Sequence, residues 1–163
     1  IIAALYEASC AGVEIQLIIR GICCLKAGIP GLSENIHVRS IVGNFLEHSR
    51  IFYCYNDGWE DIYMGSADWM PRNLDKRVEI TFPVEDPGLK TKVKEILQVQ
   101  LADTLKAHIM QPDGSYRKIK NAPDMPQVEA QQIFCEEAQE KAKAVTEGAD
   151  VHSSRVFTPM KHE

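Results

Sequence analysis

A histidine and an arginine two positions apart are the first residues in this sequence whose types and spacing could do chemistry. His48 and Arg50 lie in the string GNFLEHSR, directly before an apolar run at residues 51–55 that predicts a buried strand. On an extended backbone, residues two positions apart direct their side chains to the same face. A guanidinium holds phosphate or carboxylate oxygens through paired hydrogen bonds, and an imidazole exchanges a proton near neutral pH. The pair therefore predicts an anion-binding site.

A second polar cluster, GSADWMPRN at residues 65–73, follows another apolar run, and we expect it near the same strand ends. Its candidate functional residues are Ser66, Asp68 and Arg72. A carboxylate that reaches the far ring nitrogen of a histidine fixes the tautomer of the ring and stabilises the imidazolium. Asp68 is the residue that we predict in this role beside His48.

Arginines are concentrated in the first half of the chain. Five of the seven lie between residues 20 and 77, whereas nine lysines and only two arginines follow residue 83. Arginine is favoured for planar, bidentate contact with phosphate, and lysine is the usual solvated cation. Arg20 and Arg39 therefore join the candidates. Arg20 also follows a predicted strand, at the end where ligands collect in open α/β sheets. Pairing with nearby carboxylates explains any single arginine equally well.

Most other reactive residues have no supporting pattern. The sequence contains no glycine-rich phosphate loop, no nucleophile elbow and no HExxH zinc motif. Four further histidines are predicted to be ordinary, satisfied polar groups: His37, His108, His152 and His162. The five cysteines form no CxxC pair and four lie in apolar runs, so we expect a reducing compartment with neither disulfides nor zinc.

Length, charge and composition limit the classes to which this protein can belong. A length of 163 residues allows one domain, or one domain with a tail. The formal net charge of −5 argues against a general nucleic-acid binder. No apolar run approaches the roughly 20 residues that span a bilayer. The chain begins at Ile1 without a methionine or a basic leader, so we expect a piece of a longer protein.

Apolar periodicity and turn signals predict an α/β domain. Predicted helices cover residues 1–12, 86–102 and 127–146. Predicted strands cover residues 13–19, 37–39, 51–55, 59–64, 75–82, 104–110 and 115–119, with hairpin turns at Asp57-Gly58 and at residues 112–114. We expect the strand at 75–82 to close the sheet. Residues 21–35 are predicted to form a long loop, and the last dozen residues a frayed tail.

The spacing of the polar residues resembles the HxK…GSxN signature of the phospholipase D superfamily. HSR at residues 48–50 is followed by GSAD at residues 65–68, with Arg50 in the lysine place and Asp68 in the asparagine place. In that superfamily two similar halves each contribute a histidine to one cleft, and one of these histidines takes up a phosphoryl group covalently.

Longer strings make the resemblance more specific. RGICCL, PGLSENI-VRSIVG-FLEHSRI and GSADWM-RNL--RVE are similar, nearly word for word, to the C-terminal domain of bacterial polyphosphate kinase of the long form. The resemblance implies an α/β fold: a phospholipase D-like half with a mixed sheet flanked by helices. It covers residues 1–120, which we expect to be the catalytic domain. Residues 121–163 match more loosely and are expected to form a C-terminal helix and tail.

The same resemblance implies an activity and the residues for it. The family transfers the terminal phosphate of ATP reversibly to inorganic polyphosphate. By position, His48 matches an active-site histidine that acts as acid or base and contacts the nucleotide phosphates, and Arg20 matches an arginine that binds the ATP phosphates. The family's phosphorylated histidine lies in a preceding domain, so this chain alone is expected to be inactive. The supporting candidates are Arg39, Arg50, Ser66, Asp68 and Arg72.

The resemblance also implies substrates, partners and a cellular location. ATP, ADP and inorganic polyphosphate are the implied substrates, and Mg²⁺ is expected to be bound mainly by residues outside this chain. The expected partners are the preceding domains of the same chain and further copies in a homo-oligomer, with no nucleic acid and no transmembrane segment. The expected location is cytoplasmic, with peripheral contact at the inner face of the membrane left open.

Two alternative functions stay open. The first is a phosphodiesterase half of phospholipase D type, which pairs with a second half in a dimer. Arg50 argues against it, because those enzymes carry lysine at that place. The second is a non-catalytic module that binds polyphosphate or an oligomer partner through its arginine-rich face.

Overall fold

The computed structural model describes residues 1–120 and 125–146. The chain divides into two compact units, Ile1–Ala130 and Gln131–Glu163, and every element that carries the candidate site lies in the first. The helices are α1 (Ile2–Cys10), α2 (Pro71–Lys76), α3 (Pro87–Ala102) and α4 (Ala130–Thr146). The strands are β1 (Ile15–Ile18), β2 (Ile36–Ile41), β3 (Ile51–Asn56), β4 (Trp59–Gly65), β5 (Thr81–Pro83), β6 (Ala107–Met110) and β7 (Tyr116–Lys118). The predicted frayed tail lies outside the described residues.

Four strands form a mixed sheet in the order β1-β2-β6-β7. β1 and β2 are parallel, whereas β6 is antiparallel to both of its neighbours. A parallel pair needs a crossover connection, and residues 21–35 lie within it as the predicted loop. The buried hydroxyl of Ser33 holds this loop, because it donates to the Lys26 carbonyl (2.6 Å) and accepts from the Ile29 N–H (3.1 Å). The loop therefore has a fixed internal structure.

β3, β4 and β5 form a second, antiparallel sheet. The predicted hairpin is confirmed, since β3 and β4 pair along their length from Ile51 opposite Met64 to Asn56 opposite Trp59. Asp57 and Gly58 make the turn with φ of 45° and 96°. Positive φ at both central positions is the type I′ geometry whose twist matches that of the flanking strands.

Two predictions for this region are wrong. Residues 75–82 do not form one strand that closes a single sheet, because α2 extends to Lys76 and only Thr81–Pro83 pairs with β4. Pro71 favours a helix there, since proline fits a first helical turn that needs no N–H donor. The run at residues 51–55 is a strand but is largely exposed. The hairpin extends beyond the small apolar cluster that covers its base.

Two apolar clusters stabilise the sheets. Under the mixed sheet lie Leu25, Ala27, Ile36, Val38 and Met110. Against the hairpin lie Ile62, Val84 and Val93. Ile36, Val38 and Ile62 are each 1% exposed. Burial of one such side chain contributes roughly 1.5–3 kcal/mol, so these two clusters supply much of the fixed geometry on which the site depends.

The predicted span of α3 is confirmed at both ends. Asp86 caps its first turn, with a carboxylate oxygen that accepts from the Leu89 N–H at 2.9 Å. Asp103 follows the last turn and is fully buried. Its carboxylate accepts backbone N–H groups of Lys106 (2.7 Å), Ala107 (3.0 Å) and Ala130 (2.8 Å). None of the helices in the described ranges is long and apolar enough to cross a bilayer.

Candidate functional site

Two arginines from distant parts of the sequence meet at one carboxylate. Arg20 follows the carboxyl end of β1, Arg50 directly precedes β3, and Asp68 lies in the loop between β4 and α2. Arg20 Nη2 donates to both carboxylate oxygens of Asp68, at 3.0 and 2.8 Å. Arg50 Nε donates to Asp68 Oδ1 at 3.1 Å. The sequence-predicted residues Arg20, Arg50 and Asp68 therefore share one site.

Asp68 is held in its ionised form by these contacts. The Arg50 hydrogen bond, followed by that of Arg20, keeps the pKa of the Asp68 carboxyl below its ordinary value, although burial opposes the shift. The side chain of Asp68 is 31% exposed, that of Arg20 is 27% exposed and that of Arg50 only 15%. Two positive charges and one negative charge leave this group with an excess of positive charge that solvent can reach.

His48 joins the group through Arg50. Arg50 Nη1 lies 3.0 Å from His48 Nδ1 and 3.4 Å from Nε2, and it donates to the His48 carbonyl at 3.0 Å. The predicted direct pairing of Asp68 with the ring of His48 is wrong, because the carboxylate lies against the two guanidinium groups. A carboxylate between two permanent cations gains more from them than from an imidazole. Arg50 thus lies between the acid and the histidine.

A cavity of about 590 Å³ opens beside this group. Arg20, Arg50 and Asp68 form part of its wall, and much of the remainder is apolar. Its apolar wall includes Ile19, Ile22, Phe52 and Leu97. His48 is exposed to solvent and lies against the lining residue Arg50. The cations are therefore accessible from a concave surface, which is the shape that ligand sites usually have.

The loop that carries Asp68 is fixed at both sides. Before it, the Ser66 hydroxyl donates to a carboxylate oxygen of Glu79 and accepts from the Ile80 N–H at 3.1 Å. The Ser66 hydrogen bond is also the main cause that lowers the pKa of Glu79. After it, the Trp69 ring stacks on Phe52 with centroids 5.0 Å apart and planes 4° from parallel. Ser66 thus uses its hydroxyl to hold the loop.

Gly65 allows β4 and the next segment to approach closely. A Cβ at this position would lie 3.1 Å from both the Ile80 carbonyl oxygen and the Thr81 hydroxyl. Such contacts are tighter than a folded core tolerates without displacement. A side chain at Gly65 would therefore displace the backbone or the Thr81 side chain at the strand end that directly precedes Ser66 and Asp68.

The loop that carries His48 is attached to α3. Gln100 Nε2 donates to Glu47 Oε2 at 2.9 Å, and the Gln100 side chain is buried. This contact was not predicted from the sequence. Gln100 lies on the otherwise apolar face of α3, and a polar residue at such a position indicates a hydrogen bond to a neighbouring segment. The contact fixes the backbone next to His48.

Two other candidates are not joined to this group by the hydrogen bonds and ion pairs of the described residues. The Arg39 guanidinium donates to the Leu101 carbonyl, and burial lowers the pKa of Arg39 while Asp103 opposes that shift. Its Nη1 is therefore engaged at the end of α3. Arg72 is exposed on α2. The structure brings together Arg20, His48, Arg50 and Asp68, and it does not bring Arg39 into contact with them.

Two of the four remaining histidines lie in the described part of the chain. His37 Nε2 lies 3.2 Å from Glu14, and His108 Nδ1 lies 3.0 Å from the Lys106 carbonyl. His152 and His162 lie outside the described residues.

Within residues 1–120 and 125–146, no group of three or more His, Cys, Asp or Glu side chains could hold a metal ion. Asp68 already faces two cations, so the donor set at this site does not fit Mg²⁺.

Comparison with known proteins identifies the family. The family model described as polyphosphate kinase C-terminal domain 2 matches residues 1–131. The polyphosphate kinase 1 of Chlorobaculum tepidum is 54% identical over 142 residues, which cover 87% of this chain and 20% of that protein. The polyphosphate kinase of Pseudomonas aeruginosa is 58% identical over 119 residues, which cover 73% of this chain and 17% of that protein.

A solved structure agrees with these sequence matches. The crystal structure of polyphosphate kinase from Porphyromonas gingivalis has a TM-score of 0.80 and 43% sequence identity, over 88% of this chain and 22% of that chain. The likeness supports the α/β, phospholipase D-like fold class predicted from the sequence. This chain spans about a fifth of the length of its relatives. By the family model and by this close likeness in sequence and structure, the chain belongs to the polyphosphate kinase C-terminal domain family.

Proposed function

We propose that this chain is the C-terminal part of the active site of a polyphosphate kinase, which transfers the terminal phosphate of ATP reversibly to inorganic polyphosphate. The observation that carries the proposal is the convergence of Arg20 and Arg50 on Asp68, with His48 against Arg50. Both substrates are polyanions, and clustered guanidinium groups are well suited to bind phosphate oxygens.

Within this proposal the residues have different roles. Arg20 and His48 bind the phosphates of ATP, because both are accessible and lie at the ends of the linked group. Arg50 and Asp68 support them. Arg72, which is exposed on α2, is a candidate contact for the polymer. Arg39 and Ser66 are weaker candidates, because their polar groups already bind within the protein.

In phosphoryl transfer the protein contributes mainly by positioning the reacting groups and by neutralising their negative charge. Phosphoryl transfer passes through a transition state with charge spread over the phosphoryl oxygens and on the leaving oxygen, which fixed cations stabilise. As the bond to the terminal phosphorus of ATP breaks, the ADP oxygen gains negative charge. His48 supplies a hydrogen bond or a proton to this oxygen, and Arg20 neutralises charge on the phosphates.

The nucleophile of the proposed reaction lies outside this chain. The phosphoryl group passes to a histidine of the preceding domains, as the family resemblance implies, and Mg²⁺ is held mainly there. Residues 1–120 form the catalytic part and residues 121–163 a C-terminal addition. We place the protein in the cytoplasm as a homo-oligomer.

The decisive variant is His48→Ala in the full-length enzyme that contains this domain, assayed for polyphosphate synthesis from ATP. We expect turnover to fall by about 100-fold or more, because general acid–base groups contribute about 10²–10⁴-fold. His37→Ala is the matched control, since His37 is an exposed histidine that pairs with Glu14 on the mixed sheet. Near-normal turnover of His48→Ala would remove the proposed role.

The 163-residue chain alone gives a second test. We expect it to make no polyphosphate from ATP, because the covalent nucleophile is absent. Synthesis by this chain would contradict the proposal. Hydrolysis of a phosphodiester substrate that is lost in His48→Ala would favour a phosphodiesterase half instead. Polyphosphate binding without any effect of His48→Ala on full-length turnover would favour a non-catalytic binding module.

A further inference from the structure

The two faces of the antiparallel sheet have different surroundings. On one face, Ile62 packs with Val93 of α3 and is 1% exposed. Successive strand residues point to opposite faces, and residues directly opposite each other on neighbouring strands share a face. The pairing of β3 with β4 therefore assigns the residues of the second face, which we call the open face. The open face consists of Phe52, Cys54, Asn56, Trp59, Asp61 and Tyr63, together with the Trp69 ring that stacks on Phe52.

Aromatic side chains occupy the open face at positions where a solvated sheet is normally polar. Trp59 is 73% exposed, Trp69 47% and Tyr63 38%, and the Cys54 thiol is exposed as well. Among the residues of the open face, Asp61 alone is charged at neutral pH. The central part of a protein–protein interface is enriched in tryptophan and tyrosine and depleted of charge. The composition of the open face is therefore that of an interface.

We infer that the open face is the docking surface for another domain of the same full-length polypeptide. This chain spans about a fifth of the length of its relatives, so most of such a protein lies outside it. A domain in the same polypeptide is held at a high effective concentration, about millimolar when the linker is short and flexible. A patch of a few aromatic side chains is therefore sufficient for docking within one polypeptide.

The open face continues into the wall of the cavity beside Asp68. Phe52 and Trp69 belong to the open face, and they also line this cavity with Arg20 and Asp68. A domain that covers the open face therefore reaches the edge of the candidate site. The catalytic consequence rests on the proposed function, in which the histidine nucleophile comes from another domain. Docking on the open face brings that domain to the phosphate-binding residues.

A membrane surface fits the open face less well than a protein does. Peripheral proteins that bind anionic lipids combine apolar side chains with lysine and arginine. The open face contains Asp61 and neither of these basic residue types. Its polar groups also suit a protein partner, because a tyrosine hydroxyl and two indole N–H groups can donate hydrogen bonds across an interface.

The thiol of Cys54 reports directly whether the open face is covered. N-ethylmaleimide is the probe, and peptide mass spectrometry measures the rate of modification at each cysteine. Cys54 is exposed in the 163-residue chain, and in the full-length enzyme we expect it to react at least about 10-fold more slowly. Cys10, an exposed cysteine on α1, is the control and should react at similar rates in both proteins. Equal rates for Cys54 in the two proteins, or equal slowing of Cys10, would overturn the inference.

Cross-linking identifies the occupant of the open face. A photo-reactive benzophenone amino acid is incorporated at position 59 of the full-length enzyme, at the exposed tip of the hairpin. Unlabelled and ¹⁵N-labelled copies are mixed before irradiation, so each cross-linked peptide pair shows whether its two halves come from one polypeptide. We expect pairs within one polypeptide, to segments outside this domain. Pairs of mixed isotope content would identify a second copy as the occupant, and protection of Cys54 only with anionic phospholipid vesicles would identify a membrane; either result contradicts the inference.

A pair of tyrosine variants links docking to activity. In the full-length enzyme, Tyr63→Glu places a charge on the open face, and we expect it to restore the reactivity of Cys54 and to lower kcat about 10-fold or more. Tyr55→Glu is the matched control, because Tyr55 is 68% exposed on the opposite face of the same hairpin. Equal effects of the two variants would contradict docking at the open face. His48→Ala should keep Cys54 protected, so the labelling experiment distinguishes failure of this inference from failure of the proposed function.

Discussion

Asp68 accepts two hydrogen bonds from Arg20, a residue 48 positions earlier in the chain, at 3.0 and 2.8 Å. This contact joins the end of a strand in the mixed sheet to a loop of the antiparallel sheet. A single carboxylate between two guanidinium groups holds them close together without cancelling their charge. The group Arg20, Arg50 and Asp68 therefore keeps a net positive charge in a fixed geometry, which is the arrangement that stabilises a bound anion.

The acid dependence of stability should report the Asp68 contacts. Because its folded-state pKa is lowered, the contribution of Asp68 to stability is fully present above the ordinary aspartate value of 3.8 and is lost as pH falls through the folded pKa. We expect Asp68→Asn to cost about 1 kcal/mol of unfolding free energy at neutral pH, since the pair is partly exposed.

Urea unfolding at a series of pH values measures this contribution. The difference between wild type and Asp68→Asn should shrink as pH falls below about 4, because the wild-type carboxylate becomes protonated. Asp75→Asn, which removes an exposed carboxylate from α2, is the matched control. A difference that does not vary with pH would mean that the charge of Asp68 is not what stabilises the loop.

Trp69 should stabilise the loop that carries Asp68. Its ring stacks on Phe52 at 5.0 Å, and aromatic pairs of this kind contribute about 0.5–1.5 kcal/mol beyond burial. We expect Trp69→Ala to lower the unfolding free energy by about 1–2 kcal/mol. Trp59→Ala is the control, because Trp59 is 73% exposed at the tip of the hairpin. Equal losses for the two variants in urea unfolding would show that the stack contributes little.

Asp103 should be one of the most sensitive positions for stability. Its fully buried carboxylate accepts three backbone N–H groups, which Asp103→Ala would leave without an acceptor. Each buried N–H group left without an acceptor costs about 1–3 kcal/mol, so we expect Asp103→Ala to lower the unfolding free energy by about 3 kcal/mol or more. Asp113→Ala, at an exposed turn where the carboxylate binds Ser115, should cost about 0.5 kcal/mol. Thermal unfolding of the two variants compares them directly.

Local signals predicted most of the elements. Asp57-Gly58 predicted the hairpin, and Asp86-Pro87 predicted the start of α3, because turn and cap chemistry depends on a few adjacent residues. The helix α2 was missed, since six residues around Pro71 carry too short a pattern to be recognised. The division into two sheets was missed as well, because strand pairing depends on packing between distant segments, and apolar alternation does not encode it.

Four of the predicted candidate residues lie together in the structure, but the contacts between them differ from the prediction. Residue type and spacing selected Arg20, His48, Arg50 and Asp68, which the structure brings together. The sequence assigned Asp68 to the histidine, but the structure places it between the arginines. That choice depends on which cation reaches the carboxylate in three dimensions. Arg39 was equally plausible by type, yet its side chain is engaged at the end of α3.

Binding of tripolyphosphate to the 163-residue chain should depend on Arg20 more than on exposed arginines elsewhere. Arg20 is 27% exposed in the wall of the cavity, where a phosphate oxygen can share its guanidinium with Asp68. A hydrogen bond to a charged group contributes about 1.5–3 kcal/mol, so Arg20→Gln should weaken binding by about 10-fold or more. Calorimetry at low ionic strength measures the affinity, because salt screens such contacts. The control is Arg77→Gln, which removes the same charge from an exposed arginine beside Glu79. This variant should change the affinity less than about twofold. Equal losses of affinity for both variants would show that tripolyphosphate binds through net charge and not at this site.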